Sequence, residues 1–517
     1  MSPVLRYSVL IGSVKRCPTC EIKLRKMLLF KIKSLTLHSK YINNVYITIM
    51  LESLTLKNFL SFRDETIFDF TATTEKPKVG YEHIDWYTPL NKKKILKTIF
   101  LFGNNGAGKS NFLNALTILR MFILNRRESK SSANEKLPSM QFRFESKCRH
   151  MPSHISVVFH INKIRYTYVI EWDSKIIHSE ILKKQSGRKG NELVFERSFD
   201  AEHDVVKIVF PDKSKLSDDT KRVIRENVIR NTTVISVYDN KNFEAADIAA
   251  VHRYFEAPLH FYGLEDDRLD LCSMLTRRAN VEQVHDLLIQ MLNCVGSNIQ
   301  DYKVDTTRRR LDPNFAEFLR RSIPPEEFNE RYPDGMESVQ YLRFAHYNND
   351  KDGNANDPYI WLTEGEESHG TLNMIRLMII LIDAANANAI ATIDECAMGI
   401  HQETFNRIIQ FYLSISTKSQ VFLATQALPV LDMDGFRRDT ARFFDKDFLT
   451  GVSHVESINL RKFHANKNIY KNYVDHAFGG KPRVPDNDEW KTRLRTFHKM
   501  IAGEEIDKLQ EVEVNDQ

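Results

Sequence analysis

Apolar and polar positions change period in blocks along the chain. From Met50 the run Leu51-Glu52-Ser53-Leu54-Thr55-Leu56-Lys57-Asn58-Phe59 largely alternates, the pattern of a strand with one face buried. Residues 97–102, 388–393 and 419–425 are instead nearly continuous apolar runs, which predict short buried strands. Residues 155–159 and 163–172, separated by His160-Ile161-Asn162, predict a hairpin, and residues 193–197 and 205–210 continue the β pattern. Helical spacing takes over at Asn111-Phe112-Leu113-Asn114-Ala115-Leu116 and at Leu372, Ile375, Leu377, Met378, Ile379, Leu381 and Ile382. Residues 213–256 also turn helical and polar, and residues 264–330 predict a helical insertion, with Val281, Val284, Leu287, Leu288, Met291 and Leu292 at core-packing spacing. Trp490, Leu494, Phe497, Met500 and Ile501 mark an amphipathic tail helix, which reads either as capping its own domain, the favoured expectation, or as docking a partner.

These blocks predict an α/β chain in five parts. They are an extension at 1–49, an N-terminal lobe with an antiparallel sheet at 50–260, a helical insertion at 261–345, a C-terminal lobe at 346–485, and a helical acidic tail at 486–517. The extension reads either as an over-long gene start or as a poorly ordered segment. No heptad run long enough for a coiled coil is present, and no internal repeat.

Composition narrows the class. With 42% hydrophobic and 27% charged residues among 517, collagen-like, low-complexity and wholly disordered chains are excluded. The longest strictly apolar run, residues 377–382, predicts no membrane span. Six cysteines make no disulfide framework, and a reducing cytoplasm is the expected setting. The basic N-terminus lacks a secretory pattern. Nine basic residues and one acid make residues 1–49 +8, so the other 468 residues carry −3 of the net +5. Global charge therefore gives no argument for a DNA-binding body, although Thr306-Thr307-Arg308-Arg309-Arg310 and Arg277-Arg278 read either as phosphate or partner contacts or as a solvated helix face. Cys17-Pro18-Thr19-Cys20 reads as a zinc half-site without its second pair, or as ordinary thiols.

The chemistry begins at Gly103-Asn104-Asn105-Gly106-Ala107-Gly108-Lys109-Ser110, a complete P-loop between a predicted strand and a predicted helix that opens with Asn111. Glycines let the backbone N–H groups turn inward toward phosphate oxygens, and the helix adds its positive end. Lys109 would reach the β- and γ-phosphates and Ser110 would hold Mg²⁺. Residues 388–393 end in Asp394-Glu395, where Asp394 would sit beside the metal and Glu395 could orient or deprotonate water. Upstream, Ser368-His369-Gly370-Thr371 opens a helix, either as a plain Ser368 cap or as an anion-binding end.

In this order the motifs resemble the AAA-type ATPases of the ABC/SMC-like class, related to RecF and to the ATPase domain of OLD proteins, found in bacterial defence and abortive-infection loci. The resemblance covers roughly residues 50–485 and includes Asn58-Phe59-Leu60-Ser61-Phe62, Arg437-Arg438-Asp439, Tyr470-Lys471-Asn472-Tyr473 and Ala477-Phe478-Gly479-Gly480-Lys481-Pro482. It implies a P-loop head with an antiparallel β lobe, ATP and Mg²⁺ as ligands, and pairing of two protomers in which Ser368 and Gly370 of one meet the γ-phosphate held by the other. Departures are plain. Gly399-Ile400-His401-Gln402 stands where the family shows Ser-Leu-His-Pro. Gln426 replaces the histidine that senses the γ-phosphate, and a glutamine can donate to phosphate but carries no charge. Glu395 and Gln426 are thus the expected catalytic residues, with slow turnover. Arg63 is a candidate for the basic residue missing at Leu60, and Gln141 reads either as a Q-loop or as part of a plain strand. The resemblance implies an anti-phage switch acting through a co-encoded effector such as a nuclease. The alternatives are a RecF-like DNA repair ATPase, with DNA as a partner, and a non-hydrolysing scaffold.

Overall fold

Alternate residues of one buried strand, 98–103, enter opposite cores, and this organises the molecule. Ile99 and Leu101 pack into one core and Phe100 and Phe102 into the other. A strand buried on both faces must read as a continuous apolar run, as this one does. The computed structural model describes residues 49–75, 86–87, 94–124, 135–187, 190–240, 243–256, 260–263, 271–276, 281–348, 358–416, 418–433, 436–458, 469–474 and 487–502. Residues 1–48 with Cys17 and Cys20, Arg277-Arg278, residues 352–357, residues 477–482 and the acidic end lie outside the described residues.

The strands are, in chain order, β1 (Ile49–Lys57), β2 (Thr66–Asp69), β3 (Trp86–Tyr87), β4 (Ile95–Leu96) and β5 (Thr98–Gly103). Then come β6 (Ser153–Ile161), β7 (Ile164–Trp172), β8 (Ile177–Ser186), β9 (Glu192–Asp200) and β10 (Val205–Val209). Last come β11 (His260–Gly263), β12 (Ile299–Arg310), β13 (Met336–Tyr347), β14 (Tyr359–Thr363), β15 (Ile390–Asp394), β16 (Gln420–Thr425), β17 (Ala441–Lys446) and β18 (Ser453–Ser457). A seven-stranded antiparallel sheet runs β10-β9-β8-β7-β6-β1-β2. A six-stranded sheet runs β11-β15-β16-β5-β17-β18 and is parallel except for the β17–β18 hairpin. The first core joins the antiparallel sheet to the helix Lys109–Leu124 and one face of the parallel sheet. The second buries the helix His369–Ala387 against the other face.

That helix is long and apolar enough, by composition, to cross a membrane. Run length alone hid this, because Arg376 and Asp383 interrupt it; its Leu377 to Ile382 stretch is wholly buried in the second core. The helical insertion expected at 261–345 needs correction. Helices Leu271–Thr276, Val281–Cys294, Pro313–Ser322 and Pro325–Arg331 are present, but β12 and β13 pair over most of their length as an antiparallel ribbon, extended by β14. Thr306 to Arg310 is strand, not helix face, and pairs with residues 336–340. The distal ribbon is exposed, so nothing forces its residues to alternate. Leu311, Ala316 and Phe328 give the helical hairpin at its tip a small core of its own. The tail helix Asn487–Ala502 forms as expected, but Trp490, Leu494, Phe497, Met500 and Ile501 are exposed rather than capping the domain.

Candidate functional site

β5 ends where only glycine fits. Gly103 has φ 149°, and a Cβ there would run into the Phe444 carbonyl of neighbouring β17. The turn then closes at Gly108, which lies between two hydroxyls: a Cβ would come within 2.6 Å of Ser453 Oγ and 2.9 Å of Ser61 Oγ. Ser453 Oγ donates to the Ala107 carbonyl at 2.7 Å, and Asn111 Nδ2 donates to Ser61 Oγ at 2.7 Å. The P-loop is thereby clamped from the β17–β18 hairpin on one side and the loop after β1 on the other. Asn104, Asn105 and Gly106 form the accessible apex.

Lys109 is only 7% exposed, and its ammonium donates to the Gly103 carbonyl at 2.7 Å and the Asn104 carbonyl at 2.9 Å. Burial lowers its pKa, against the opposing pull of Asp394 and Glu395. Ser110 Oγ donates to Asp394 Oδ2 at 2.5 Å. This joins the start of the P-loop helix to the end of β15, a link across 284 residues of sequence. Hard oxygen donors so placed fit Mg²⁺ with a nucleotide phosphate. Glu395 follows with φ 51°, a left-handed backbone unusual for a side chain of this kind, and stays exposed. Its N–H donates to Asp394 Oδ1 at 3.1 Å, and the Cys396 N–H ties the turn to the Ala424 carbonyl at 3.0 Å. Gln426, just past β16, donates from Nε2 to Asn105 Oδ1 at 2.5 Å, so it sits on the P-loop apex.

Ser368 is exposed and caps the helix His369–Ala387: its Oγ accepts from the Thr371 N–H at 3.0 Å. The cap reading therefore holds as geometry, and it leaves the anion-binding reading open. Gly370 rests against the Gly399 carbonyl so closely that a Cβ would fall on it. The helix entrance thus packs on the turn that begins at Glu395 and ends at His401, which caps the helix Gln402–Ile415. Gln141 is buried and accepts from Ser139 Oγ at 2.7 Å, in an irregular segment rather than a strand. Arg63 pairs with Asp64 at 3.0 Å and Glu145 at 3.6 Å. Arg437 and Asp439 form a buried pair that holds the Thr73 N–H at 2.8 Å, a structural use of that stretch.

Ser453 escaped sequence reasoning, because a single serine carries no spacing signal; Ser61 and Gly399 lay inside stretches the sequence singled out, but their contacts with the P-loop and with Gly370 became visible only in the structure. A second group able to hold a metal, Asp200, Glu202 and His203, lies in the β9–β10 turn. Asp200 already holds Lys207 at 2.6 Å, which answers its charge.

Residues 99–256 match the family described as "AAA domain, putative AbiEii toxin, Type IV TA system". No curated protein matches the chain. Among solved structures, the SMC head domain from Thermotoga maritima is 10% identical, covering 79% of this chain and 99% of its own, with a TM-score of 0.35. An SmcHead bound to the C-winged helix domain of ScpA is 13% identical, over 80% and 99% respectively, with a TM-score of 0.34. An Smc head with an extended coiled coil, bound to the C-terminal domain of ScpA derived from Pyrococcus furiosus, is 12% identical over 80% and 97%, with a TM-score of 0.35. Over residues 99–256 the chain is similar to that AAA-domain family, and the structure joins its P-loop to Asp394 in a mostly parallel sheet beside an antiparallel one.

Proposed function

We propose that the chain is an ATP-binding and hydrolysing switch that dimerises around nucleotide and controls a partner effector, such as a nuclease, in bacterial anti-phage defence. The observation that carries this is the division of the site. Lys109, Ser110, Asp394, Glu395 and Gln426 converge on one P-loop, while the Ser368 helix end stands exposed on the turn that follows Glu395.

In this reading Lys109 exchanges its backbone carbonyl partners for phosphate oxygens. Ser110 and Asp394 hold Mg²⁺, which supplies charge neutralisation on the phosphates when bound. Glu395, exposed just past Asp394, orients water. Gln426 donates toward the γ-phosphate, and because it carries no charge, unlike a protonated histidine, it makes turnover slow. Ser368 and the Gly370 N–H complete the site of a second protomer. Loss of the γ-phosphate removes several charge-assisted hydrogen bonds, each worth about 1.5–3 kcal/mol, enough to reverse an association. Because Gly370 touches Gly399, a shift of the turn after Glu395 reaches the neighbour's site directly.

Turnover measured with purified protein tests this. Slow ATP hydrolysis, abolished by Glu395→Gln and unaffected by duplex DNA, is expected. Stimulation by DNA supports the repair reading instead, and tight ATP binding with no turnover supports the scaffold.

A further inference from the structure

Two parts of the molecule hold the exposed Ser368 end. One is the turn after Glu395, where Gly370 rests on the Gly399 carbonyl and Asn373 Nδ2 donates to the Met398 carbonyl at 3.4 Å. The other is the ribbon. β14 pairs with β13, and its last residue, Thr363, leads through the short turn Glu364–Glu366 directly to Glu367 and Ser368. That turn has little freedom, because the Thr363 N–H and the Thr363 hydroxyl both donate to Glu366 Oε2 at 2.7 Å. Glu367 is then fastened back to the ribbon. His346 of β13 stands two residues beyond the fully buried Phe344, on the same face of the strand. A carboxylate accepts, so His346 Nε2 donates to Glu367 Oε1, at 2.5 Å. The imidazole is 17% exposed and the carboxylate 7%. Among the described residues no other side chain bonds this carboxylate.

We propose that His346 and Glu367 are positioning residues for the half-site that Ser368 offers a second protomer. Their bond fixes the residue before Ser368, and so fixes where the Ser368 hydroxyl and the Gly370 N–H are presented. The inference rests on the reading of Ser368 as that half-site and names what aligns it. The cap alone does not align it: Ser368 Oγ accepts from the Thr371 N–H, within the first turn of its own helix, and that bond moves with the helix end. The His346–Glu367 bond instead ties the end to another element, 21 residues away in the chain. A nearly buried carboxylate is costly without a partner. Deprived of the imidazole, Glu367 regains solvation only by turning outward, and Ser368 is the next residue. Groups that meet a triphosphate across an interface are sensitive to such a shift, since a misplacement of about 1 Å can cost on the order of 100-fold in rate. His346 therefore acts on the neighbour's site and leaves its own P-loop untouched.

Steady-state turnover, calorimetric titration with ADP and mixtures of variants, all with the full chain, test the assignment. ADP lacks the γ-phosphate, so its affinity reads each chain's own P-loop. His346→Ala should lower kcat roughly 5- to 150-fold and leave ADP affinity unchanged. His346→Gln keeps an N–H donor near the place of Nε2 and should retain turnover, which separates the bond from the bulk of the ring. Mixed with Lys109→Ala, whose Ser368 end is intact, His346→Ala should recover turnover. Mixed with Ser368→Arg, whose end is spoiled as well, it should show no more turnover than the two alone. Unchanged turnover in His346→Ala, loss of ADP binding along with turnover, an equal loss in His346→Gln, or recovery with Ser368→Arg overturns the positioning role while the shared site stands. So does failure of His346→Ala to recover with Lys109→Ala when Ser368→Arg does recover with it. If neither recovers, the shared site falls and the inference with it. Glu367→Ala removes the buried carboxylate together with the tether and is expected to give the same pattern; it takes the place of the histidine variant should that protein melt below the assay temperature.

Discussion

Lys109 is an ammonium held out of water by two backbone carbonyls rather than by a carboxylate at bonding distance. Burial is the largest influence on it and works against its charge. A cation kept there at a cost in stability points to a use other than folding. Lys109→Ala should therefore abolish ATP binding while moving the melting temperature by no more than about 3 °C in either direction; loss of the fold would mean the lysine is structural. Gly370 makes the opposite case, where space rather than charge decides. Its missing Cβ is what lets the Ser368 helix touch the turn after Glu395. Gly370→Ala should push the two apart, costing about 1–3 kcal/mol of stability by overpacking. Thermal melting reads that loss, and an unchanged midpoint would show that the contact can relax without cost. At this scale the sequence was legible wherever function requires neighbours in the chain, as in residues 103–110 or Asp394-Glu395. It was silent wherever the partner is remote, as with Ser453 beneath Gly108.

Strands β5, β15 and β16 were readable as elements because both of their faces are buried, so each is a nearly continuous apolar run. β12 and β13 were not, since much of the ribbon faces water and hydrophobic periodicity carries no information there. β8 was hidden because an extra residue, His178, bulges out between Ile177 and Ser179, and because one of its buried positions is the polar Glu180. That strand also carries a titration. Glu180 is fully buried in the antiparallel sheet, accepting from Tyr168 Oη at 3.0 Å and the Val234 N–H at 2.7 Å. Burial pushes its pKa up to about 7 from 4.5, partly opposed by the Val234 N–H and by Arg197. A raised carboxyl pKa means that the folded chain holds the proton longer than the unfolded one. Its stabilising contribution is whole below about pH 4.5 and is lost as pH rises toward 7, by at most about 3 kcal/mol. Denaturant midpoints of the wild type should fall across that window relative to Glu180→Gln, which cannot titrate. Parallel pH profiles for the two proteins would remove Glu180 as the cause.

At the scale of the whole molecule, the two cores meet across the parallel sheet, and that sheet carries the P-loop, Asp394 and Gln426 at one end. The helix that carries Ser368 belongs to the second core, and the helix that carries Lys109 to the first. A site shared between protomers makes a prediction that a self-contained site does not. Lys109→Ala spoils the P-loop and keeps the Ser368 end; Ser368→Arg spoils the exposed helix end and keeps the P-loop. Neither protein alone should hydrolyse ATP, because every pair of identical copies has two broken sites. A mixture should recover activity, since a mixed pair unites the good P-loop of one chain with the good helix end of the other and restores one site in two. Ser368 is exposed, so the arginine should enter without disturbing either core. Steady-state turnover of the equimolar mixture, compared with each variant at the same total concentration, gives the answer. Recovery approaching a quarter of the wild-type rate is expected if protomers pair at random, because half of the pairs are mixed and each has one working site of two. A mixture as inactive as its components would mean that each chain's Ser368 serves its own P-loop or none, and the dimeric switch would fall with it.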